Sequence, residues 1–267
     1  MHQGNHRRHQ LLNQMNAFDY NLEVLRGNVS GHSMVSIRGH DNTVPNGGPF
    51  GLSQGFGAGN YHFDQSAIAA TPAAVSVAST DNTNDNAAGT GALTVRLIGL
   101  DASGDAQFET LTMNGTTAVA SSNTYSAVHT LQVLTTGSNN ANTGIIYAGT
   151  GTFTSGVPAV RMLSMTIGFN ISLSGYYVVP NAKTLYIRQF IGTVGSSNKD
   201  VQIYIETSAD GILWYKQIEF GLEAGDIALD VVALPGMVAG THIKLQAAGG
   251  AASTDATAIL GCELVDN

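Results

Sequence analysis

Short strands separated by turn residues constrain this chain more than any other feature of its sequence. From residue 73 onward, apolar and polar residues alternate over runs such as AAVSVAST, LTVRLIGLD and DVQIYIETS, and polar or glycine-rich stretches separate the runs. Alternation with a period of two is typical of half-buried strands, and many short runs at this spacing are typical of sandwiches and jelly rolls. The sequence therefore predicts an all-β chain built from antiparallel β-sandwich or jelly-roll domains.

The order of these runs suggests three parts. Residues 1–66 are predicted to form an extended, glycine-rich N-terminal arm, residues 67–168 a β-sandwich domain, and residues 169–267 a second β-sandwich or jelly-roll domain. The arm contains the stretch GHDNTVPNGGPFGLSQGFGAGNYHFDQ, which is too rich in glycine to build a core of its own. Its isolated aromatic residues need another surface to pack on, and we predict an interface formed by Phe50, Phe56, Tyr61 and Phe63. That surface belongs either to a neighbouring subunit or to the chain's own domains.

Several turns can be predicted from local chemistry. The stretch D101-A-S-G-D105 is predicted to form a tight loop, because aspartate bonds nearby backbone groups and Gly104 adopts positive φ readily. The dipeptide N114-G115 predicts a two-residue hairpin whose second strand returns along the first. The stretch A209-D210-G211 predicts another hairpin between DVQIYIETS and ILWYKQIEF, and strands are expected on both sides of P180-N181-A182.

Composition narrows the classes of partner. Charged residues make up 11% of the chain, the formal net charge is −8, and the pI is about 5.3. Non-specific binding of nucleic acid requires a basic surface, so we expect no nucleic-acid partner. A surface with so little charge indicates burial in an assembly, and we expect a homo-oligomer. No apolar run reaches the length of a membrane span and no signal peptide is evident, so no membrane partner is expected.

The sequence carries few signals of chemistry. It lacks HExxH, CxxC, GxSxG and P-loop patterns, and the glycine-rich GFGAGN has no strand before it and no helix after it. The loop DASGD lacks the later glutamate of a calcium loop. Cys262 lies in the apolar stretch ILGCELV and is predicted to be a core residue. We therefore predict no enzyme, no catalytic residue, no cofactor and no metal. The paired carboxylates of a glycosidase have no characteristic spacing in sequence, so the sequence does not decide whether such a pair is present.

Three blocks of the sequence resemble a family of virion structural proteins of tailed bacteriophages that is common in environmental viral sequences. The blocks are LEVLRGNVSGHSMVSIRGH, TGALTVRLIGLDASGDAQFETLTMNGTTAV, and YYVVPNAKTLYIRQF followed by DVQIYIETS. For most members of the family, the position within the phage particle is unassigned. The resemblance implies a structural protein located in the virion, with other virion proteins as partners: major capsid subunits, or neck or tail subunits.

Two kinds of function follow as hypotheses. The preferred one is a non-enzymatic capsid decoration (cement) protein, a minor capsid protein that stabilises the particle through its N-terminal arm and its subunit contacts. The alternative is a neck or tail accessory protein, or a tail-fibre protein that binds a carbohydrate receptor. For a sugar site the aromatic candidates are Trp214, Tyr215 and Tyr204, although residues on strands more often pack in the core. A secreted adhesin is disfavoured because no signal peptide is evident.

Overall fold

The computed structural model describes residues 17–52, 71–195, 200–223, 225–230, 234–251 and 254–267. One helix, α1 (Ala17–Leu25), precedes the strands of this described part. The strands are β1 (His32–Val44), β2 (Gly47–Gly51), β3 (Ala73–Ser79), β4 (Ala92–Leu100), β5 (Ala106–Thr112), β6 (Val119–Tyr125), β7 (Ala127–Thr136), β8 (Ile146–Thr154), β9 (Val157–Met165), β10 (Tyr176–Val178), β11 (Lys183–Val194), β12 (Asp200–Ser208), β13 (Tyr215–Glu223), β14 (Asp226–Asp230), β15 (Met237–Val238), β16 (His242–Gly249) and β17 (Thr254–Asp266). The predicted all-β class is confirmed.

The strands form four small antiparallel sheets rather than two clearly delimited jelly-roll sandwiches. Sheet I has the order β5-β4-β7, and sheet II has the order β6-β3-β8-β9. Sheet III has the order β1-β17-β11-β14, with β15 also paired to β11, and sheet IV has the order β10-β16-β12-β13. Neighbours in these sheets are often distant in sequence, so the pairings are set by tertiary structure rather than by tight turns.

Two large apolar clusters hold the sheets together. One takes its side chains from sheets I and II, including Val77, Leu97 and Met162; the other takes them from sheets III and IV, including Phe190 and Ile203. The first cluster takes its residues from Val75 to Met165, whereas the second combines Ile37, Val44 and Leu52 with residues from Val179 to Leu264. Cys262 lies in the second cluster as predicted, and burial raises the pKa of its thiol to about 12.

The described part of the predicted N-terminal arm is not an extended arm, which corrects that prediction. Strand β1 pairs with β17 from His32↔Val265 to Val44↔Thr254 and closes one side of sheet III. Its inward residues Ile37 and Val44 are buried in the second cluster. Apolar and polar residues alternate in HSMVSIRGHDNTV, so one face of this segment can pack on the core. The edge of β17 offers the backbone hydrogen-bond partners that an isolated arm would lack.

Helix α1 is fastened to the same sheet. Val24 is buried, and the Tyr20 hydroxyl donates a 2.5 Å hydrogen bond to Oε1 of Glu263 on β17. His32 Nδ1 lies 2.7 Å from the same carboxylate oxygen. Burial, and secondarily the carboxylate, raise the pKa of Tyr20 to about 12. The helix therefore belongs to the folded body of the protein.

The loops at Asp101 and Asp210 follow the predictions, but the one at Asn114 does not. Asp101 accepts the N–H groups of Ser103 and Asp105, and Gly104 has a φ of 82°. Asn114–Gly115 does not connect a hairpin, because β5 pairs with β4 whereas β6 pairs with β3 in another sheet. Asn114 forms a bridge with Asn86 in a neighbouring loop, and its carbonyl accepts from Thr117 N–H in the turn that leads from sheet I to sheet II.

The segment that connects the two halves of the chain, residues 166–175, is hydrogen-bonded on both sides. Toward sheet I, Ser172 N–H donates to the Leu131 carbonyl and Val133 N–H donates to the Asn170 carbonyl. Toward sheets III and IV, Gly175 N–H donates to the Arg38 carbonyl, and the Gly175 carbonyl accepts from Leu245 N–H. The connecting segment therefore acts as a short extra strand between β7 and β1 and joins the two halves directly.

Candidate functional site

The predicted aromatic interface lies mostly outside the described residues. Phe50 is part of strand β2, and Phe56, Tyr61 and Phe63 fall outside the described residues. The prediction that these four residues form an interface stays a prediction. The described part of the chain offers two other candidate surfaces: a crease at the join of the two halves, and the tip of the β12–β13 hairpin.

The crease is a cavity of about 310 Å³ where sheet I meets β1 and the connecting segment. One wall contains Ile98 and Thr130 of sheet I, and the facing wall contains Ser36 and Arg38 of β1. Apolar groups dominate the lining. The volume is at the lower end of the ~300–1,000 Å³ that is common for small-ligand sites.

His129 lies at the floor of the crease and is held as a neutral imidazole. Its Nε2 accepts a 3.2 Å hydrogen bond from Val178 N–H, and its ring packs 4.5 Å from that of Tyr177. Burial lowers the pKa of His129 to about 3, and His242 contributes a smaller effect in the same direction. Because Nε2 is the acceptor, the neutral ring carries its proton on Nδ1. Its role in this geometry is to fasten β10 to sheet I.

The outer face of sheet I continues the crease as a surface that combines an aromatic ring, a guanidinium group and hydroxyl groups. Between β4 and β5, Ile98 pairs with Phe108 and Arg96 pairs with Thr110. On the other side of β4, Arg96 pairs with Gln132 of β7. The Arg96 guanidinium lies 4.9 Å from the centre of the Phe108 ring. Phe108 is 62% exposed, an unusual fraction for a large aromatic side chain on a strand.

The second candidate surface is the hairpin tip, residues 209–215, which is apolar and held by hydrogen bonds within the turn. Asp210 Oδ1 accepts the N–H groups of Ile212 and Leu213 and the Ser208 hydroxyl, and these hydrogen bonds lower the pKa of Asp210 to about 2. The tip exposes Ile212 by 69%, Leu213 by 57% and Tyr215 by 57%. Large apolar side chains on an immobilised turn are suited to insertion into a partner.

The three aromatic residues predicted for a sugar site have different environments. Trp214 is half-buried, with its ring 4.0 Å from the Lys244 ammonium and edge-on to His242. Tyr204 is buried beneath Lys216, whose ammonium lies 3.8 Å from the ring. Tyr215 is exposed at the tip. The structure therefore does not bring the three together as one open platform.

The buried carboxylates are occupied by structural hydrogen bonds. Asp85, which is fully buried, accepts from Ser79 Oγ, from the N–H groups of Ala92 and Gly144, and from both the N–H and the hydroxyl of Thr143. In this way it ties the loop after β3 to β4 and β8. Within the described residues, no group of three or more His, Cys, Asp or Glu side chains could hold a metal ion. The described part of the chain also contains no helix of the length and hydropathy that a membrane span requires.

The sequence contained a signal for the exposed ring that we did not recognise. In QFETLTM the apolar Leu111 and Met113 lie on one face of the strand and are buried, so Phe108 must lie on the other face with Thr110. An aromatic residue alternating with threonines, opposite a core face, predicts an exposed ring. The Arg96 contact has no such signal, because it depends on the pairing of β4 with β5.

Comparison with known proteins adds little to these observations. No protein-family model matches the chain. No curated protein matches it either. Among solved structures, the chain aligns with a chain from the structure of the infectious bursal disease virus Gt strain, with 13% identity, 88% of this chain covered, 72% of that chain covered and a TM-score of 0.20. At that score the alignment carries no argument about fold or function.

Proposed function

We propose that this chain is a non-enzymatic structural subunit of a bacteriophage particle, acting as a capsid decoration (cement) protein. In this proposal sheets I and II form one sandwich unit and sheets III and IV form a second. The partners are major capsid subunits and further copies of the chain. The resemblance of three sequence blocks to tailed-phage virion proteins supports this role.

The apolar tip is the observation that carries the proposal. A catalytic loop requires polar groups arranged around a substrate, whereas residues 209–215 expose Ile212, Leu213 and Tyr215 on a turn held by Asp210. Burial of a large apolar side chain contributes about 1.5–3 kcal/mol. Because the turn is already ordered, little conformational entropy is lost when it docks. Such a contact, repeated over a symmetric shell, adds substantial stability.

The hydrogen-bonded connecting segment gives the subunit a second property that suits a particle. Ser172 and Gly175 bond to opposite halves of the chain, so a load applied to one half passes to the other through backbone hydrogen bonds. A flexible linker would instead let the halves move independently. A cement protein that bridges neighbouring subunits requires this stiffness.

A neck, tail or fibre position is the alternative, and the outer face of sheet I favours its receptor-binding form. Phe108 and Arg96 form an exposed aromatic and cationic surface beside the crease. A decoration protein has no evident use for such a surface, whereas a fibre protein could use it to contact a host glycan.

The proposal is tested by incorporation of tip variants into particles. We expect the double variant Ile212→Asp with Leu213→Asp to be depleted at least roughly tenfold from purified particles, because it places charge in an apolar contact. The control is Ile167→Asp, at a site that is 54% exposed and lies in the connecting segment. Both variants should show the wild-type urea midpoint. Wild-type incorporation of the double variant would show that the contact lies elsewhere.

Imaging of the wild-type particle separates the two positions. Density for this chain on the shell lattice supports decoration, and density at the neck or at a fibre tip supports the alternative. The predicted arm interface requires its own variants, because removal of residues 1–60 would also remove β1 from sheet III. Substitution of Phe56, Tyr61 and Phe63 by serine leaves β1 intact and should reduce incorporation if those residues contact a neighbour.

A further inference from the structure

We propose that the outer face of sheet I, together with the crease beside it, binds an anionic saccharide: a sugar chain that carries carboxylate groups. The residues concerned are Phe108, Arg96, Gln132, Thr130 and Arg38. This inference concerns the isolated protein, and it holds whether the chain sits on a shell or on a fibre.

The positive charge on this face has no acidic partner among the residues that the structure describes. Neither Arg38 nor Arg96 forms an ion pair or a side-chain hydrogen bond within the described part of the chain, and the Nε atom of Arg96 is buried without a hydrogen-bond partner. Guanidinium groups recognise carboxylates through paired, charge-assisted hydrogen bonds. In a chain with a net charge of −8, two unpaired arginines that border one surface form a local site for an anion.

Phe108 gives the same surface a flat apolar platform. The ring is 62% exposed, and the Arg96 guanidinium 4.9 Å from its centre restricts its movement. The apolar C–H face of a pyranose ring can cover an exposed aromatic ring, and this removes apolar surface from water. Arg96 beside the ring is then placed to meet a carboxylate on the same sugar.

Hydroxyl and amide groups complete a surface suited to sugar rather than to lipid or a simple anion. Gln132 and Thr110 lie directly across from Arg96, and Thr130 lies across from Ile98. These groups both donate and accept hydrogen bonds, as sugar hydroxyls do. A long acyl chain would leave them unpaired, and inorganic phosphate would not use the Phe108 ring.

The dimensions fit more than one sugar unit. Adjacent strands lie about 4.8 Å apart, so the row from Phe108 on β5 to Thr130 on β7 spans roughly 10 Å. Thr130 lines the crease, and Arg38 stands on its opposite wall. A chain of two or more units can therefore place one ring on Phe108 and direct the next toward Arg38.

The test is calorimetric titration of the full-length protein with tetragalacturonate and with its methyl ester, which retains the sugar rings but lacks the charge. We expect a dissociation constant of about 1 mM or tighter for the acid, and binding of the ester at least roughly tenfold weaker. Phe108→Ala and Arg96→Met should each weaken binding of the acid roughly tenfold. Tyr186→Ala removes a ring that is 39% exposed on β11, outside both candidate surfaces, and serves as the control, with unchanged affinity.

Three results would overturn the inference. They are no binding of the acid at millimolar concentration, equal binding of the acid and the ester, and equal or tighter binding of a tetraglutamate peptide, which has charge without rings. If Arg96→Met lowers the urea midpoint, Arg38→Met replaces it, because Arg38 is exposed and is expected to be tolerated. Particle incorporation plays no part in this measurement, so the inference and the proposed function fail separately.

Discussion

Gly39 of β1 and Ser174 of the connecting segment form an isolated antiparallel bridge at the join of the two halves. The approach is so close that a Cβ at Gly39 would lie 2.7 Å from Leu52 Cβ and 3.2 Å from Gly175 Cα. Glycine is required here by proximity, since the φ of Gly39 is not in the left-handed region. The join therefore depends on a residue that has no side chain.

Gly39→Ala is expected to destabilise the protein by about 1–3 kcal/mol, because the extra methyl group overlaps Leu52 and crowds Gly175 of the connecting segment. Urea unfolding measures the change. Gly221→Ala on β13 is the control, since a Cβ there meets nothing within 4 Å. Equal midpoints for the two variants would show that the contact at Gly39 relaxes without cost.

Asp85→Asn is expected to cost about 3 kcal/mol or more, because one carboxylate oxygen that accepts hydrogen bonds is replaced by an NH₂ donor facing other donors. The loss should appear as a lower thermal and urea midpoint. Asp105→Asn, in an exposed turn, is the matched substitution and should change the free energy of unfolding by no more than about 0.5 kcal/mol. A tolerated Asp85→Asn would mean that the loop rearranges around the amide.

His129 should make stability depend on pH. Its pKa is lowered by burial to about 3, whereas in the unfolded chain it is about 6.5. Between these values the unfolded chain binds a proton that the folded protein does not, so acidification from pH 6.5 toward 3 destabilises the fold. The slope from this residue approaches about 1.4 kcal/mol per pH unit.

The variant His129→Gln isolates this contribution, because the amide can still accept from Val178 N–H but does not titrate. Its urea midpoint should fall less steeply than that of the wild type between pH 6.5 and 4.5. His242, whose pKa burial also lowers, remains in both proteins and contributes most of its slope to each. An equal pH dependence of the urea midpoint in the two proteins would show that His129 is protonated in the folded protein as readily as in the unfolded chain.

Lys244 and Glu206 are cross-strand neighbours on β16 and β12 and form a buried ion pair of 3.0 Å. Burial lowers the pKa of Lys244, and Glu206 partly offsets that effect. Glu206→Gln should therefore lower the lysine pKa further and destabilise the fold by about 3 kcal/mol. Replacing both residues by methionine should recover most of that loss, because no buried charge remains unpaired. Urea unfolding of the two variants distinguishes these outcomes.

Much of the local structure could be predicted because its causes are local. The loops at Asp101 and Asp210 form because each aspartate bonds backbone groups within a few residues of itself. The Asn114–Gly115 hairpin was predicted on the same principle and was wrong. The local turn does form, since the Asn114 carbonyl accepts from Thr117 N–H, but the strand that follows it pairs with β3 rather than with β5.

The candidate site could be predicted only in part, for a related reason. The alternation in QFETLTM is sufficient to place Phe108 on the solvent face, because Leu111 and Met113 must face the core. Nothing local places Arg96 beside that ring or Arg38 across the crease. Those contacts depend on the register of β4 with β5 and on the docking of β1 beside the connecting segment.

From residue 73 onward, the sequence by itself determined most of the strands and which face of each is apolar, because alternation and turn chemistry act over a few residues. Only the tertiary structure decided the partners of those strands. Strand β1, predicted to be part of an arm, pairs with β17 from the opposite end of the chain. Any two strands can form the same backbone hydrogen bonds. The partner of each strand is therefore set by the arrangement of all the strands that buries the most apolar surface.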